Sequence, residues 1–327
     1  MDLNINFNLS EFTSIMLQYF SFVDEYAKKV REGKVENKVF VKDINDYFTE
    51  LDYLSQTLLL NIFKKFYPYK NFLIIAEETI TEDYNKKIID LTNKDKSLFL
   101  SNLNNISLDK NYFNFPKEFN NKTIDLTNSE VSIFVDPIDG TKSLVKGIYE
   151  PVTILLGICI NNKPFMGFIH FVFSENNKTF FNFPSLGIYE YSPSTRIILK
   201  KEIKVDDNKY NFVISNSRYT KEMIDFIKTF PNNEYENVSG LGSKAIKCIL
   251  EDKIYFTTSK NSLSLWDICA PSCILNELGL DIYCFNGEKV KFVPKRMTFD
   301  QNGVICISPK KLQVFLEHVK KYYSQAL

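Results

Sequence analysis

Apolar residues near the start of the chain recur with the spacing of one face of an α-helix. This stripe comprises Phe12, Ile15, Met16, Tyr19, Val23, Tyr26 and Val30. Ser10 is a suitable N-cap and Gly33 a suitable stop, so we predict a helix between them whose stripe packs in the core. A second stripe predicts a helix from about Tyr47 to Phe66, and this helix carries Asp52.

Shorter apolar runs follow and predict β-strands. The run "FLII" at 72–75 is followed by "AEET", and the run "SIFV" at 132–135 is followed by two acids. Residues 150–173 predict two long strands joined in a hairpin at "NNKP", and residues 179–193 predict another pair. Residues 80–130 are polar and weakly periodic, so we predict an irregular insertion with one or two short helices, mobile in part.

The pattern changes after a charged stretch, Lys200–Lys209, beyond which strands alternate with helices. Strands are predicted in "YNFVISNS" and "KIYFTT", and helices in "TKEMIDFIKTF", "GLGSKAIKCIL" and "SLWDICAPSCILNELG". The last helix has Ser308 as its N-cap and Pro309 at its first position. We therefore predict two parts, an N-terminal α+β domain at 1–195 and a C-terminal α/β domain at 196–327.

Charge and hydropathy narrow the classes of partner. The 327 residues include 40 Lys plus Arg and 40 Asp plus Glu, so the formal net charge is zero, and four of the basic residues are Arg. A balanced chain with so few arginines disfavours a nucleic acid polymer as partner. The longest apolar run, Val152–Ile160, is far shorter than a membrane helix. We expect a soluble protein without membrane association.

The cysteines and the first residues bear on the compartment. The start of the chain lacks the basic and apolar regions of a secretory signal, and six cysteines are scattered without a dense framework. Cys269 and Cys273 share a helical face, but no second Cys or His pair completes a zinc site. We interpret both as small core residues and expect a cytoplasmic protein, monomeric in solution.

Acidic residues stand at the ends of three predicted elements. They are Glu77 with Glu78, Asp136 with Asp139, and Asp267. Carboxylates gathered without Arg or His repel one another, so a bound cation is the usual explanation. Hard oxygen donors select Mg²⁺ or Mn²⁺ rather than zinc. Two such ions can support phosphoryl transfer.

The stretch "DPIDGT" has two interpretations on its own. Asp-Pro and Asp-Gly are ordinary turn dipeptides, because Asp caps its own backbone and Gly accepts a positive φ. Alternatively, Pro137 fixes the backbone, Gly140 allows a close approach, and Thr141 begins a helix whose exposed N–H groups bind an anion. In that case metal ions and a phosphate group meet at one corner of the molecule.

The three motifs "AEET", "DPIDGT" and "WDICAP" occur in this order along the chain. In order and spacing they resemble the lithium-sensitive, magnesium-dependent phosphatases related to inositol monophosphatase. The resemblance covers nearly the whole chain and implies an α/β (α+β) fold, a layered αβαβα sandwich of the inositol monophosphatase and fructose-1,6-bisphosphatase type. It places the active site between the two parts, with two or three Mg²⁺ ions, Mn²⁺ as a substitute, and Li⁺ as an inhibitor.

The resemblance also implies roles for individual residues. The metal ligands would be Glu77, Asp136, the carbonyl group of Ile138, Asp139 and Asp267. Asp52 and Thr141 would activate the attacking water, and Asp139, Gly140 and Thr141 would contact the phosphate. Glu78 would be an outer or third-metal ligand. For Asp52 the alternative is a solvated helix acid.

The resemblance further suggests a small-molecule substrate. The long connection from Glu78 to Asp136 resembles the branch that acts on bisphosphorylated substrates, and "DPIDGTK" resembles the 3'(2'),5'-bisphosphate nucleotidases. "SNSR", with Ser215 and Arg218, falls where those enzymes contact the nucleotide, although Arg218 replaces an expected His.

"GLGSK" falls where the nucleotidases have a Gly-rich turn and a lysine near the 5'-phosphate, so Gly240 and Lys244 are further candidates for substrate binding. We predict hydrolysis of 3'-phosphoadenosine 5'-phosphate to AMP. The alternatives are an inositol polyphosphate 1-phosphatase, alone or as a second activity, and a non-catalytic sensor of a phosphate ligand.

Overall fold

The computed structural model of the chain describes residues 5–43, 46–69, 71–79, 93–109, 112–120, 122–173, 177–195, 197–202, 209–216, 218–258, 263–294 and 303–323. The first long helix, α1, spans Leu9–Arg31. Its N-cap is Asn8, whose side chain accepts from the N–H groups of Ser10 and Glu11, so the prediction of Ser10 as N-cap was wrong. Gly33 follows the helix with a φ of +67°, as a helix stop requires.

The second helix, α2, spans Glu50–Phe66 and starts later than predicted. The residues before it, Asp46–Thr49, form strand β3, which pairs with β2 (Val39–Asp43) in an antiparallel hairpin that the sequence analysis missed. Helix α2 begins where Asp52 accepts a hydrogen bond from the backbone N–H of Thr49 at 2.9 Å. This capping interaction favours the later start.

A seven-stranded sheet forms the centre of the first part of the chain. Its strands are β4 (Phe72–Ala76), β6 (Val131–Asp139), β7 (Thr153–Ile160), β8 (Lys163–Phe171), β9 (Thr179–Phe183), β10 (Gly187–Ser192) and β11 (Ile197–Lys201). Their order is β11-β10-β9-β8-β7-β6-β4, and only the pair β4–β6 is parallel within this sheet. The predicted hairpin is confirmed: Asn161 and Asn162, both with positive φ, form its turn.

The insertion between β4 and β6 is described in part. It contains helix α3 (Lys94–Ser101) and strand β5 (Thr123–Asp125), which pairs with β1 (Asn6–Asn8). The predicted short helices are thus confirmed. The prediction that residues 80–130 are mobile in part stays a prediction, and residues 80–92, 110–111 and 121 lie outside the described residues.

A five-stranded sheet follows, with the predicted alternation of strands and helices. Its strands are β12 (Tyr210–Ser215), β13 (Asn233–Val238), β14 (Ile254–Thr257), β15 (Asp281–Cys284) and β16 (Val304–Ile307), in the order β13-β12-β14-β16-β15. The helices of this part and the short helix after β6 are α4 (Thr141–Val145), α5 (Lys221–Ile227), α6 (Leu241–Glu251), α7 (Leu265–Asn276) and α8 (Pro309–Tyr323). Ser308 caps α8 as predicted, with its Oγ accepting from the N–H of Lys311.

The hydrophobic clusters define five layers. Helices α1 and α2 pack on one face of the large sheet, and α6 and α7 lie between its other face and the small sheet. Helices α5 and α8 cover the outer face of the small sheet. The expected αβαβα sandwich is confirmed. The domain boundary at residue 195 stays a prediction, and β11, which follows it, pairs with β10 of the first sheet.

Helix α7 lies unusually close to the large sheet. A Cβ atom placed on Gly157 of β7 would lie 2.5 Å from the Sγ of Cys269, and one on Gly167 of β8 would lie 2.9 Å from the Cβ of Cys273. Both cysteines are buried, which confirms them as core residues. Of the helices in the described part of the chain, none combines the length and apolar composition needed to cross a bilayer.

Candidate active site

A cleft of about 620 Å³ opens between the two sheets, at the end of β6. Eleven of the residues predicted from the sequence line it: Glu77, Asp136, Ile138, Asp139, Gly140, Thr141, Ser215, Arg218, Gly240, Lys244 and Asp267. The two other predicted residues, Asp52 and Glu78, are buried behind its wall. The fold thus brings to one place residues that are up to 190 positions apart, from Glu77 to Asp267.

The stretch "DPIDGT" forms the end of β6 and the entry to α4. Asp136 pairs with Leu155 of β7, and Asp139 pairs with Thr153. Three residues along β6 thus correspond to two along β7, so the register shifts by one residue between them. Such a bulge redirects the strand's side chains. Asp136 Oδ1 accepts from the N–H of Ile138 at 3.0 Å, and Gly140 follows in the left-handed region at a φ of +91°.

Asp139 connects the first sheet to helix α6. Its Oδ2 accepts from the backbone N–H of Gly242 at 2.7 Å and from the hydroxyl group of Thr153 at 2.9 Å. Burial raises the pKa of Asp139, although these hydrogen bonds and the charge of Lys244 oppose the rise. The carboxylate is therefore held in a fixed position at the floor of the cleft.

Asp267 is the third residue of α7. Its Oδ2 accepts from the backbone N–H of Ser264 at 2.5 Å, so the acid caps the helix on which it lies. Burial, together with the charges of Glu77 and Asp139, raises the pKa of Asp267 to about 8. Burial and the neighbouring acids likewise raise the pKa of Asp136.

Asp52 reaches the cleft through Thr141. Asp52 Oδ1 accepts from the Thr141 hydroxyl group at 3.0 Å, while Oδ2 accepts from the hydroxyl group of Thr49 at 2.6 Å. The Thr141 hydroxyl also lies 2.8 Å from the carbonyl oxygen of Ile138, so its single hydrogen has two acceptors. Burial raises the pKa of Asp52 to about 7. Asp52 is fully buried, so it is not a solvated helix acid.

The pair Glu77 and Glu78 has a partner that the sequence analysis missed. Lys42, on β2, lies 3.2 Å from Oε1 of Glu77 and 2.5 Å from Oε1 of Glu78. Burial and the charge of Glu77 raise the pKa of Glu78 to about 8. The sequence signal for Lys42 is slight: the apolar run before it, Val39–Val41, has three residues, is shorter than a typical strand and indicates no partner for the lysine.

Basic residues also line the cleft. Lys244, on α6, is 6% exposed, and its ammonium group lies 5.2 Å from the ring centroid of Tyr255. Burial lowers the pKa of Lys244, opposed by the charge of Asp139. Arg218 and Ser215 also line the cleft. The cleft lining therefore combines acidic and basic side chains, which suits a metal ion and an anionic group together.

Two more basic residues, Lys142 and Lys146, line the cleft from the α4 side. Lys146 was not among the residues predicted from the sequence, although it follows Thr141 within two helical turns. Gly240 and Gly242 have a packing role as well: a Cβ atom would lie 2.4 Å from the carbonyl oxygen of Pro151 at Gly240 and 2.2 Å from the Thr153 hydroxyl at Gly242.

The acids suit a hard divalent cation by their chemistry. Asp136, Asp139, Asp267 and Glu77 offer carboxylate oxygens and no imidazole or thiolate ligand, which is the donor set that Mg²⁺ and Mn²⁺ prefer. Among the described residues, however, no three His, Cys, Asp or Glu side chains already stand close enough together to enclose an ion.

Two curated relatives align with part of the chain. It is 23% identical to 3'(2'),5'-bisphosphate nucleotidase 1 of Mus musculus over 201 residues, which covers 59% of this chain and 62% of that protein. It is 27% identical to inositol monophosphatase 3 of Xenopus tropicalis over 168 residues, which covers 48% of this chain and 43% of that protein. The chain thus spans less than two thirds of the length of these relatives.

The similarity to solved structures and to a family profile covers nearly the whole chain. A structure of an IMPase/NADP phosphatase complexed with Mg²⁺ and phosphate matches with a TM-score of 0.64 at 14% identity, over 95% of both chains. At this identity the likeness shows a common fold. The profile of the inositol monophosphatase family matches residues 8–323. The chain therefore belongs to the inositol monophosphatase family.

Proposed function

We propose that the protein is a magnesium-dependent phosphatase that hydrolyses 3'-phosphoadenosine 5'-phosphate to AMP and phosphate. The observation that carries this proposal is that Glu77, Asp136, Asp139 and Asp267 line one cleft together with the basic residues Lys244 and Arg218. The similarity to 3'(2'),5'-bisphosphate nucleotidase 1 supports the same substrate class.

The residues that would hold the cations are Glu77, Asp136, Asp139 and Asp267, with the carbonyl group of Ile138. When bound, the cations supply positive charge that offsets the negative charge of the transferring phosphoryl group. This ligand set rests on the resemblance to the lithium-sensitive phosphatases, so we also expect Li⁺ to inhibit the enzyme. The carboxylates, raised in pKa by burial, lose their protons when they bind a cation.

Thr141 and Asp52 provide the route for the proton of the attacking water. With its hydrogen directed to Asp52 Oδ1, the Thr141 oxygen presents a lone pair to a water molecule in the cleft. As the water oxygen bonds to phosphorus, its proton passes to Thr141, and the Thr141 proton passes to Asp52. The P–O bond to the 3'-oxygen breaks, and that oxygen leaves with a proton from solvent. A pKa of about 7 suits Asp52 as proton acceptor near neutral pH.

Lys244 and Arg218 would bind the second phosphate of the substrate. Lys244 is almost fully buried, so its charge is weakly screened at the wall of the cleft. A substrate with phosphates at both ends would span the cleft, with one group near the acids and the other near these cations. This arrangement favours a bisphosphate over a monophosphate.

The first experiment measures phosphate release from 3'-phosphoadenosine 5'-phosphate and from inositol 1,4-bisphosphate, with Mg²⁺ and with or without Li⁺. We expect lithium-sensitive release mainly from the nucleotide. Asp136→Asn should abolish release and keep the fold, whereas Asp225→Asn, which changes a half-buried acid of α5 that pairs with Lys228, should leave release unchanged. Phosphate release retained in Asp136→Asn would contradict the assignment of the active site.

The second experiment tests the substrate class through Lys244. Lys244→Met should raise KM for 3'-phosphoadenosine 5'-phosphate by about 10-fold to 100-fold and leave KM for 3'-AMP nearly unchanged, since a charge-assisted hydrogen bond contributes about 1.5–3 kcal/mol. Lys247→Met, on the same helix but salt-bridged to Glu251, is the matched control. An equal effect on both nucleotides would mean that Lys244 does not recognise a second phosphate.

Release mainly from inositol 1,4-bisphosphate would favour the inositol polyphosphate 1-phosphatase. Because of the similarity to inositol monophosphatase 3, this activity is the second candidate function. Tight binding of either compound without release would favour a sensor.

A further inference from the structure

Gln56 lies one helical turn after Asp52 on α2, and its side-chain amide binds the backbone of Glu78 twice. Its Nε2 donates to the carbonyl oxygen of Glu78 at 2.6 Å, and its Oε1 accepts from the N–H of Glu78 at 3.0 Å. Gln56 is 1% exposed and Glu78 is 8% exposed, so both hydrogen bonds are shielded from water. We refer to these two hydrogen bonds as the Gln56 clamp.

The clamp acts where the chain leaves the large sheet. Strand β4 is the last strand of this sheet, and a bend at Glu77 and Glu78 follows it. The N–H of Glu77 still donates to the carbonyl oxygen of Val135 on β6, at 3.0 Å. The backbone groups of Glu78 are buried and need partners as well, and Gln56 supplies both. The bend is therefore held by β6 at one residue and by α2 at the next.

The position of Glu77 matters for all the acids of the site. Besides burial, the charge of Glu77 raises the pKa of three other acids, namely Asp52, Asp136 and Asp267. Its carboxylate therefore interacts with acids from α2, β6 and α7 at once. One end of the clamp is the helix that carries Asp52, and the other end is the bend that carries Glu77. The clamp thus fixes the candidate metal ligand relative to the candidate proton acceptor.

We propose that Gln56 is a positioning residue, which acts through the backbone of Glu78 to hold Glu77 in the place where it binds a divalent cation. This inference rests on the proposed metal-dependent reaction, because it takes Glu77 to be a ligand. Gln56 is not among the described residues that line the cleft, so it acts on the cation through its neighbours. Outer partners of metal ligands commonly contribute about 10-fold to 100-fold to metal affinity.

A second clamp of the same kind makes it possible to separate this role from a purely structural one. Gln18 on α1 donates through Nε2 to the carbonyl oxygen of Ser107 at 2.9 Å, and its Oε1 accepts from the N–H of Ser107 at 2.8 Å. Gln18 is also 1% exposed, but neither it nor Ser107 is among the described residues of the cleft lining. Loss of either clamp should lower stability, whereas only loss of the Gln56 clamp should lower metal affinity.

The experiment titrates the full chain with Mn²⁺ after treatment with EDTA and measures free Mn²⁺ by electron paramagnetic resonance. Gln56→Met nearly keeps the side-chain volume and removes both hydrogen bonds, so the dissociation constant of Mn²⁺ should rise about 10-fold. Gln18→Met makes the same change at the second clamp and should leave this constant within about 2-fold of the wild-type value. Both variants should lower the Tm, because each removes the hydrogen bonds of a buried glutamine.

A second variant, Gln56→Asn, serves if Gln56→Met does not fold. Its shorter amide leaves room for a water molecule that bridges to Glu78, so the loss of stability should be smaller. The dissociation constant of Mn²⁺ should then rise about 3-fold, because a bridging water replaces part of the clamp. Gln18→Asn is its matched control.

An unchanged dissociation constant in the Gln56 variants, or an equal rise in the matching Gln18 variants, would overturn the proposal and leave the phosphatase assignment intact. If the wild type bound no Mn²⁺, or if Asp136→Asn bound it as tightly as the wild type, the proposed ligand set would be wrong. The role of Gln56 would then be wrong with it.

Discussion

Three acids of the site also stabilise the local backbone. One oxygen of Asp267 accepts from the N–H of Ser264, one of Asp52 accepts from Thr49, and one of Asp139 accepts from the N–H of Gly242. These hydrogen bonds fix the rotamer of each carboxylate before any ligand arrives. Such preorganisation lowers the cost of assembling the charged groups of an active site.

We expect the ionisation of Asp52 to control the reaction rate on the acidic side of the pH profile. Its pKa of about 7 means that the ionised form, which accepts the proton, predominates above pH 7 and is lost below it. The wild-type kcat/KM should therefore fall about 10-fold for each pH unit below about 7. Asp52→Asn should lose about 10²-fold to 10⁴-fold in kcat and should no longer show this acidic limb.

The measurement is a pH–rate profile of both proteins with the better of the two substrates. Asp225→Asn, which makes the same change at a half-buried acid of α5, should keep the wild-type profile. An acidic limb that persists unchanged in Asp52→Asn would assign the titration to another group.

At the scale of elements, the entry to α6 decides how closely the two sheets approach. Gly240 has a φ of +70° and lies against the carbonyl group of Pro151, and the next contacts join Gly242 to Asp139 and Thr153. Helix α6 also carries Lys244, so its N-terminus positions this basic residue relative to the acids.

Gly240→Ala should therefore lower the free energy of unfolding by more than the positive φ of Gly240 alone would cost. Gly279 has almost the same φ, +68°, but a Cβ atom there meets nothing within 4 Å. Gly279→Ala should cost about 1 kcal/mol of unfolding free energy from the left-handed conformation. Gly240→Ala should cost about 2–4 kcal/mol, because the added methyl group also overlaps Pro151.

Denaturant unfolding of both variants checks this difference. Similar losses would mean that α6 moves aside without strain, and Gly240 would then matter only for its backbone conformation.

The sequence predicted most elements because their periodicity is strong, and it failed where contacts across the structure decide. The helix with the stripe from Phe12 to Val30 and the hairpin turn at Asn161 are local features, and both are present. The start of α2 was misplaced because Asp46–Thr49 pairs with β2, a contact that leaves little periodic signal. Lys42 was missed for the same reason.

The candidate site was predictable as far as its motifs extend. The acids and Thr141 stand in short contiguous runs, whereas the burial of Lys244 and the pairing of Lys42 with Glu77 and Glu78 depend on distant elements. No pattern within a single segment encodes such a contact.

At the scale of the whole molecule, the cleft brings together acids whose ionised forms are disfavoured by burial. The pKa of Asp267 is about 8 and that of Asp52 about 7, and burial also raises the pKa of Asp136 and Asp139. The folded chain therefore binds more protons than the unfolded chain between about pH 4 and pH 8. By linkage, the free energy of unfolding of the metal-free protein falls as pH rises through this window.

We therefore expect the metal-free protein to have a lower Tm at pH 8 than at pH 5.5. Mg²⁺ should raise the Tm more at pH 8 than at pH 5.5, because at low pH protons compete for the same oxygens. Asp136→Asn should raise the Tm of the metal-free protein at pH 8 and reduce the response to Mg²⁺. The measurement is thermal unfolding by circular dichroism after treatment with EDTA.

Asp225→Asn should respond to Mg²⁺ as the wild type does. A Tm shift of equal size at both pH values, or an undiminished shift in Asp136→Asn, would contradict the assignment of these acids as the binding groups.

The hydrogen bond from the Gly242 amide to Asp139 makes hydrogen–deuterium exchange at Gly242 a reporter of cleft opening. The bond joins an atom of α6 to the end of β6, so the amide hydrogen can exchange with deuterium only when the cleft wall and floor separate. Its exchange rate therefore records how often the two halves of the molecule part, and a ligand that bridges them slows it.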